Sequence, residues 1–260
     1  MSNNPDSEIA HLLEWDSNFF GKRVARVNGN TLTPARIKEI DHWSHQNQID
    51  CLYFLASPDD DTTVVCAEQN GYHLVDLRVS LSANLRSISF SEEQSSSIRF
   101  AGEKDIPALQ AIAGLNHTNS RFFTDTHFDR DKCRKMYEIW IEKCVIAPPS
   151  RVFVWDDNGK AVAYVTANLE LDNTGDIALV GLAPEWQGQG IGKQLIDAAL
   201  AYFSFNQALT VSTATQGRNI HAIKLYQKCG FSIQSIEIWY HKWYSDQEDK
   251  WQVHNFSFSG

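Results

Sequence analysis

The sequence predicts an α/β (α+β) fold, a mixed central sheet flanked by helices, with a smaller α/β unit at the N-terminus. Three observations carry this. The sixteen residues from Leu182 to Asp197, LAPEWQGQGIGKQLID, follow an apolar run (Ile177 to Leu182) and pass through Gly188, Gly190 and Gly192 into an amphipathic segment opened by Lys193. Such a pattern is a strand turning into a helix. A second block, Asn219-x-x-Ala222-x-x-x-Tyr226-x-x-x-Gly230-Phe231, stands downstream. Strand and helix patterns also alternate from Val24 to Leu81 and again from Ile98 to Trp243, with a serine-rich stretch between them.

In chain order, HLLEWDSNFFGKRVARV (11–27) gives an apolar and aromatic opening, a turn at Gly21 and an alternating strand, Val24 to Val27. Trp15, Phe19 and Phe20 are expected in the core rather than on a ligand surface. Thr33 caps a helix that Pro34 starts and that runs to about Asn47. Strand Cys51 to Ala56, a helix from Thr62 to Asn70 closed by Gly71, and strand Tyr72 to Leu81 complete an N-terminal unit over residues 1–81. Residues 82–97, SANLRSISFSEEQSSS, are expected to link it to a second unit over 98–244.

That unit opens with strand Ile98 to Ala101 and a helix from Glu103 to Ala113. The polar, aromatic stretch Asn116 to Phe128 leads to a helix from Asp129 to about Ile146, acidic in its first turn and stopped by Pro148-Pro149. Arg151 to Trp155 and Lys160 to Leu171 form a hairpin across Asp156-Asp157-Asn158-Gly159. After the glycine turn and its helix come strand Leu209 to Thr213, the Asn219 helix and two last strands over Phe231 to Trp243. The polar tail, 245–260, carries Trp251, Phe256 and Phe258 and either docks or frays.

At 260 residues the chain exceeds the ~150 of one ordinary domain, and 43% hydrophobic with 12% aromatic content can bury a sizeable core. A net charge of −9 argues against a general nucleic-acid or anionic-membrane binder, both of which need a cationic face. An anionic ligand must then be held by local cations or backbone amides. The five cysteines, Cys51, Cys66, Cys133, Cys144 and Cys229, are scattered and lack CxxC spacing, so buried reduced thiols are expected, with no disulfide framework and no metal. The polar start MSNNPDSEIAHLLEWD has no apolar leader, and no run approaches the ~18 apolar residues of a membrane span. A cytoplasmic protein is expected.

The glycine turn suits an anion, because small residues let backbone N–H groups approach a ligand and the following helix dipole favours negative charge. A dinucleotide loop needs GxGxxG early in a βαβ unit, and a nucleotide-triphosphate loop needs Gly-Lys-Ser/Thr; here Gly192-Lys193 precedes Gln194. What fits is Gln/Arg-x-x-Gly-x-Gly/Ala, met by Gln187, Gly190 and Gly192 behind a strand ending in Leu-x-Pro. Together with the Asn219–Phe231 block, it resembles the GCN5-related N-acetyltransferases. The resemblance implies acetyl-coenzyme A as cosubstrate, its pyrophosphate held by Gln187, Gly188, Gln189, Gly190, Ile191, Gly192 and Lys193, with Asn219 nearby. It also implies free backbone N–H groups near Leu182 to polarise the thioester carbonyl. Tyr226, a phenol with an ordinary pKa near 10, is the candidate proton donor to the thiolate. The family often places a carboxylate on the coenzyme strand, and Ile177 to Leu182 contains none. Asp76, Glu170, His117 and His221 are the candidate bases, with Asp76 preferred because it interrupts a strand.

WDSNFFGKRVARV, NGYHLVDLRVSL, NSRFF (119–123) and TATQGRN (213–219) are similar to bacterial dTDP-fucosamine (dTDP-4-amino-4,6-dideoxygalactose) N-acetyltransferases. This implies a dTDP-4-amino-4,6-dideoxyhexose as acceptor. Ser120, Arg121 and Phe122 would grip it, the guanidinium on the diphosphate and the aromatic ring on the base or sugar. The expected partner is therefore a small-molecule amine, with a homodimer left open. The alternatives are a GCN5-related enzyme for another small amine, such as an amino acid or antibiotic, and a non-catalytic acyl-coenzyme A-binding module.

Overall fold

The computed structural model describes residues 9–88, 95–147 and 150–244. The polar start before Ile9, the Pro148-Pro149 stop, residues 89–94 of the serine-rich stretch and the tail 245–260 lie outside the described residues. The first elements are β1 (Ala10–Leu12), α1 (Glu14–Phe20), β2 (Val24–Val27), α2 (Pro34–Gln46), β3 (Cys51–Ala56), α3 (Asp61–Gln69) and β4 (His73–Asn84). Then come β5 (Ile98–Phe100), α4 (Ile106–Asn116), α5 (Arg121–Thr124), α6 (Arg130–Ile146), β6 (Ser150–Asp157), β7 (Lys160–Leu169), β8 (Thr174–Ile177) and β9 (Val180–Leu182). The chain ends with α7 (Ile191–Phe205), β10 (Thr210–Gln216), α8 (Ile220–Lys228) and β11 (Ser232–Trp243).

Local chemistry starts several of these elements. The Thr33 hydroxyl accepts the Arg36 N–H at 3.2 Å and caps α2, Asp60 accepts the Thr63 N–H and caps α3, and the Asp129 carboxylate accepts the Asp131 and Lys132 N–H groups at α6. The β6–β7 hairpin turns through Asn158 and Gly159, both at positive φ, as an Asn-Gly turn requires.

Two compact units result, Met1–Leu77 with Ile236–Gly260, and Arg78–Ser235. These bounds differ from a division at residues 81 and 98. The last strand is one continuous β11 rather than two, and its second half pairs antiparallel with β3, from Ile238↔Ala56 to Trp243↔Cys51. Likewise β4 runs on through Asn84 into the stretch expected to be linker, because Arg78 to Asn84 pair with β10. In the first unit the core gathers Leu32, Ile37, Ile40, Leu52, Phe54, Tyr72 and Tyr240. Phe20 is buried as expected, whereas Trp15 and Phe19 stack on each other at 4.9 Å and stay partly exposed. The buried Lys242 ammonium is paired with Asp41 at 2.6 Å, which also accepts the Tyr244 hydroxyl.

In the second unit the strand order is β4-β10-β8-β7-β6-β5, with β9 beside β7. β8 and β10 are parallel and the other pairs antiparallel, so the sheet is mixed. Alternation along β7 sends Ala163, Val165 and Ala167 into one core with Leu195, Ala199 and Phe203 of α7. Tyr164 points to the opposite side, where it meets His117 just after α4. The helix expected from Glu103 begins instead as a 3-10 turn, Glu103–Asp105, and becomes α-helical at Ile106. Asp105 there serves as an anchor, accepting the Gly102 N–H at 2.9 Å and pairing with Arg99 at 2.7 Å. Four of the five cysteines are buried and Cys144 partly so, all of them free. Among the described residues no helix is long and apolar enough to cross a membrane.

Gly175 of β8 faces Phe203 so closely that an added Cβ would sit 2.6 Å from the ring. Both residues are buried. Gly175→Ala should therefore lower unfolding stability by about 1–3 kcal/mol through overpacking, measured as a reduced urea midpoint at unchanged m-value.

Candidate active site

The continuous strand expected over Ile177 to Leu182 is two short ones, and the break has a cause. Thr166 of β7 takes over the ladder, its N–H donating to Leu179 O at 2.9 Å and its hydroxyl accepting the Leu179 N–H at 2.9 Å. β8 stays parallel to β10 from Thr174↔Thr210 to Ile177↔Thr213. Past the break β9 pairs with β7 alone, while β10 continues to Gln216. The two chains thus part company at Ile177, and the outer edge of β9 has no strand partner among the described residues.

That edge is occupied by a side chain. Asn116, the last residue of α4, accepts the Leu182 N–H on Oδ1 at 3.2 Å and donates from Nδ2 to Leu182 O at 2.9 Å. The expectation of a free Leu182 N–H is thereby corrected. Gln187 Nε2 also donates to Leu182 O, at 3.3 Å.

The turn after β9 divides the work of its glycines. Gly188 and Gly190 lie at φ 77° and 80°, and a Cβ at either would meet nothing within 4 Å. They are needed for left-handed backbone rather than for room. Gly192 is the reverse case, since a Cβ there would come within 3.2 Å of Leu225 of α8; it lets two helices pack. No protein acceptor among the described residues takes the N–H of Gly188, Gln189 or Gly190. These amides and the first turn of α7 fit a phosphate-bearing ligand. The Ile191 side chain is buried in the core, so only its backbone can take part. Gln189 Nε2 donates to Glu185 O at 2.9 Å. Lys193 is paired with Asp197 one turn on, at 2.5 Å, which raises its pKa. Asn219 caps α8 by accepting the Ala222 N–H at 3.2 Å, so its carboxamide oxygen is committed to structure.

Tyr226 is buried at the point where β8 and β10 separate. Burial pushes its pKa up to about 12 and outweighs Thr213 beside it, which draws the pKa down. Thr213 itself donates to Ile177 O at 2.8 Å. Close enough to be felt electrostatically is Asp176, the next-to-last residue of β8. Burial raises the Asp176 pKa, against the hydrogen bonds from Ser212 and Asn168 that lower it. Sequence reasoning missed Asp176 because the strand was begun at Ile177, one residue late. A lone carboxylate abutting an otherwise apolar run was the available signal.

Asp76 belongs to the first unit, is buried on β4, and accepts the Leu77 N–H at 2.8 Å. Glu170 and His221 are exposed. His117 does enter the cluster: its Nε2 is 3.0 Å from the Tyr164 hydroxyl and its ring stacks on Tyr137 at 4.5 Å. Tyr164 in turn lies over Gly181, where a Cβ would come within 2.6 Å of the ring. In the α4–α6 loop, the Arg121 guanidinium sits 4.1 Å from the Phe122 ring centre, and Ser120 is buried at the start of α5. Phe122 is buried too, edge-on to Phe128 and Trp140. It anchors the loop, which corrects its expected role as a face for the ligand. Among the described residues no group of side chains could hold a metal ion.

Residues 114–231 match the model of the acetyltransferase (GNAT) family. The chain is 26% identical over 242 residues to the dTDP-fucosamine acetyltransferase of Escherichia coli O6:H1, covering 88% of this chain and 96% of that one. It is 27% identical over 139 residues to the spore coat polysaccharide biosynthesis protein SpsD of Bacillus subtilis, a match covering 54% of this chain and about half (48%) of that protein. Among solved structures, a GCN5-related N-acetyltransferase from Sphaerobacter thermophilus superimposes with a TM-score of 0.62 at 14% identity, covering 90% of this chain and 76% of that one. It establishes likeness of fold.

Burial pulls the His117 pKa down to about 4, whereas an unfolded histidine titrates near 6.5. Between those values the unfolded chain binds the extra proton, so this residue erodes stability as pH falls from about 6.5 to about 4. Histidine-labelled NMR should show His117 neutral down to about pH 5, and His117→Gln should flatten that part of the stability profile. A midpoint above pH 6 would mean that the ring is solvated.

Proposed function

We propose that the chain, whose residues 114–231 match the acetyltransferase (GNAT) family model and which is similar over most of its length to a dTDP-fucosamine acetyltransferase, is an acetyl-coenzyme A-dependent N-acetyltransferase, and that its acceptor is the 4-amino group of a dTDP-4-amino-4,6-dideoxyhexose. The carrying observation is the extent of the likeness to the Escherichia coli enzyme. It spans 88% of this chain, well beyond the 114–231 core and into the first unit, which acetyl transfer by itself does not require. Arg121 in the α4–α6 loop supports the reading, since a guanidinium offers the geometry a diphosphate needs.

In this proposal the amides of Gly188 to Gly190 and the N-terminal turn of α7 hold the pyrophosphate. Asp176 takes the proton that the amine loses as nitrogen bonds to the acetyl carbon and the carbon–sulfur bond breaks. Its raised pKa suits a base working near neutrality better than an ordinary carboxylate would. Tyr226 faces the departing sulfur. With its pKa near 12 against an alkyl thiol near 8.5, complete transfer of its proton would run uphill by roughly 5 kcal/mol. Tyr226 therefore acts as a hydrogen-bond donor that stabilises the thiolate, and solvent supplies the final proton.

The substrate assignment is tested by thiol release from acetyl-coenzyme A against dTDP-4-amino sugars, free amino sugars, amino acids and aminoglycosides. The nucleotide sugars should give the highest kcat/KM, and Arg121→Ala should raise their KM while leaving the coenzyme KM unchanged. A free amino acid or aminoglycoside winning the panel would overturn it, and no transfer to any amine would point to a binding module.

The catalytic assignment makes a separate prediction. Asp176→Asn should cut kcat by ~10²–10⁴ and abolish the decline in activity as pH falls through the Asp176 pKa, where the base becomes protonated. Tyr226→Phe should lower kcat with coenzyme A affinity intact by calorimetry. Full turnover in either variant would remove that residue from the mechanism.

A further inference from the structure

Building on the acetyl-coenzyme A reading above, we infer that the Asn116 side chain holds the place of the coenzyme's own amide on the edge of β9 and is displaced when the coenzyme binds. The observation is the two-way bond to a single residue, Leu182 N–H to Asn116 Oδ1 at 3.2 Å and Asn116 Nδ2 to Leu182 O at 2.9 Å. A carboxamide that answers both the N–H and the C=O of one residue imitates a neighbouring strand. It does so where none lies among the described residues, because β10 has separated from the path at Ile177. Backbone groups on such an edge inside a domain have to be satisfied by something.

Coenzyme A has a partner of the same kind. Its pantetheine arm carries two secondary amides between the pyrophosphate and the sulfur, each with one N–H and one C=O. If the pyrophosphate lies on the amides of Gly188 to Gly190 and the sulfur comes to Tyr226, the arm passes the outer edge of β9. Leu182 can pair with an amide of that arm or with Asn116, and not with both. The side chain is placed to leave: Asn116 is the last residue of α4, and His117 already departs from helical geometry. The other hydrogen of Nδ2 goes to Ile112 O at 2.8 Å, a carbonyl of the last helical turn that water can satisfy. Gln187, which also reaches Leu182 O, would give way in the same movement.

The test is calorimetry of wild type and Asn116→Ala with two ligands, coenzyme A and adenosine 3′,5′-bisphosphate, which has the nucleotide end and no arm. Removing the competing amide should tighten coenzyme A binding by roughly three- to tenfold, the scale of one or two net hydrogen bonds, and leave the bisphosphate unchanged. Coenzyme A binding that is unchanged or weaker overturns the inference, as does a parallel shift for both ligands, which would mark a purely structural residue. Failure of the wild type to bind either ligand would instead sink the coenzyme reading, and this inference with it. Should Asn116→Ala not fold, the wild-type side-chain amide resonances of Asn116 decide: they should shift and exchange faster with coenzyme A and not with the bisphosphate, and resonances indifferent to coenzyme A overturn the inference.

Discussion

The site depends on the separation of two strands that begin as hydrogen-bonded neighbours. As far as Ile177 and Thr213 the parallel ladder of β8 and β10 is closed. One step later the Thr166 hydroxyl captures the Leu179 N–H and β9 is handed over to β7. Every backbone group released by that parting needs a partner, because a bare amide or carbonyl away from water costs as much as a lost hydrogen bond. The requirement explains why Asn116 and Gln187 both converge on Leu182. Tyr226 and Asp176 meet at the same fork, one reached from a helix and the other from the last paired strand.

A chain with net charge −9 cannot draw an anionic ligand by its overall field, so attraction must be local. Lys193, the nearest cation in the turn, is engaged with Asp197. What remains is the polarity of the backbone: two residues held left-handed at Gly188 and Gly190, and a helix that starts directly behind them. Such a site is directional and short-ranged, and it suits a ligand delivered by contacts along its whole length. In the proposed reading the arm and the acceptor share the positioning with the phosphates.

Much of this was legible in the sequence wherever a few neighbouring residues decide the outcome. Thr33-Pro34 started α2 and Asn158-Gly159 turned the hairpin, and the Gln187–Gly192 spacing announced a glycine turn leading into a helix. Legibility failed where the deciding partner is remote in the chain. The pairing of β11 with β3 joins residues far apart in sequence, so neither its continuity nor the division of the chain into units could be read locally. The break at Ala178–Leu179 hangs on one hydroxyl of a different strand. Phe122 was misread because an aromatic ring in a polar loop looks the same on paper whether it faces a ligand or fills the loop's own core.

Asp176 and Tyr226 illustrate how one physical cause yields two opposite uses. Burial disfavours the charged form of each, raising the carboxyl and the phenol alike. For Asp176 the shift moves an acid toward neutrality and makes its anion a better base. For Tyr226 it moves an acid away from neutrality and makes it a poorer proton source, while leaving the hydroxyl fully protonated and able to donate a hydrogen bond. In the proposed reaction the same exclusion of water would tune the base and leave the tyrosine to stabilise charge rather than deliver a proton. Since Thr213 lies beside Tyr226 and donates its hydrogen to Ile177 O, the phenol sits against the last closed rung of the β8–β10 ladder.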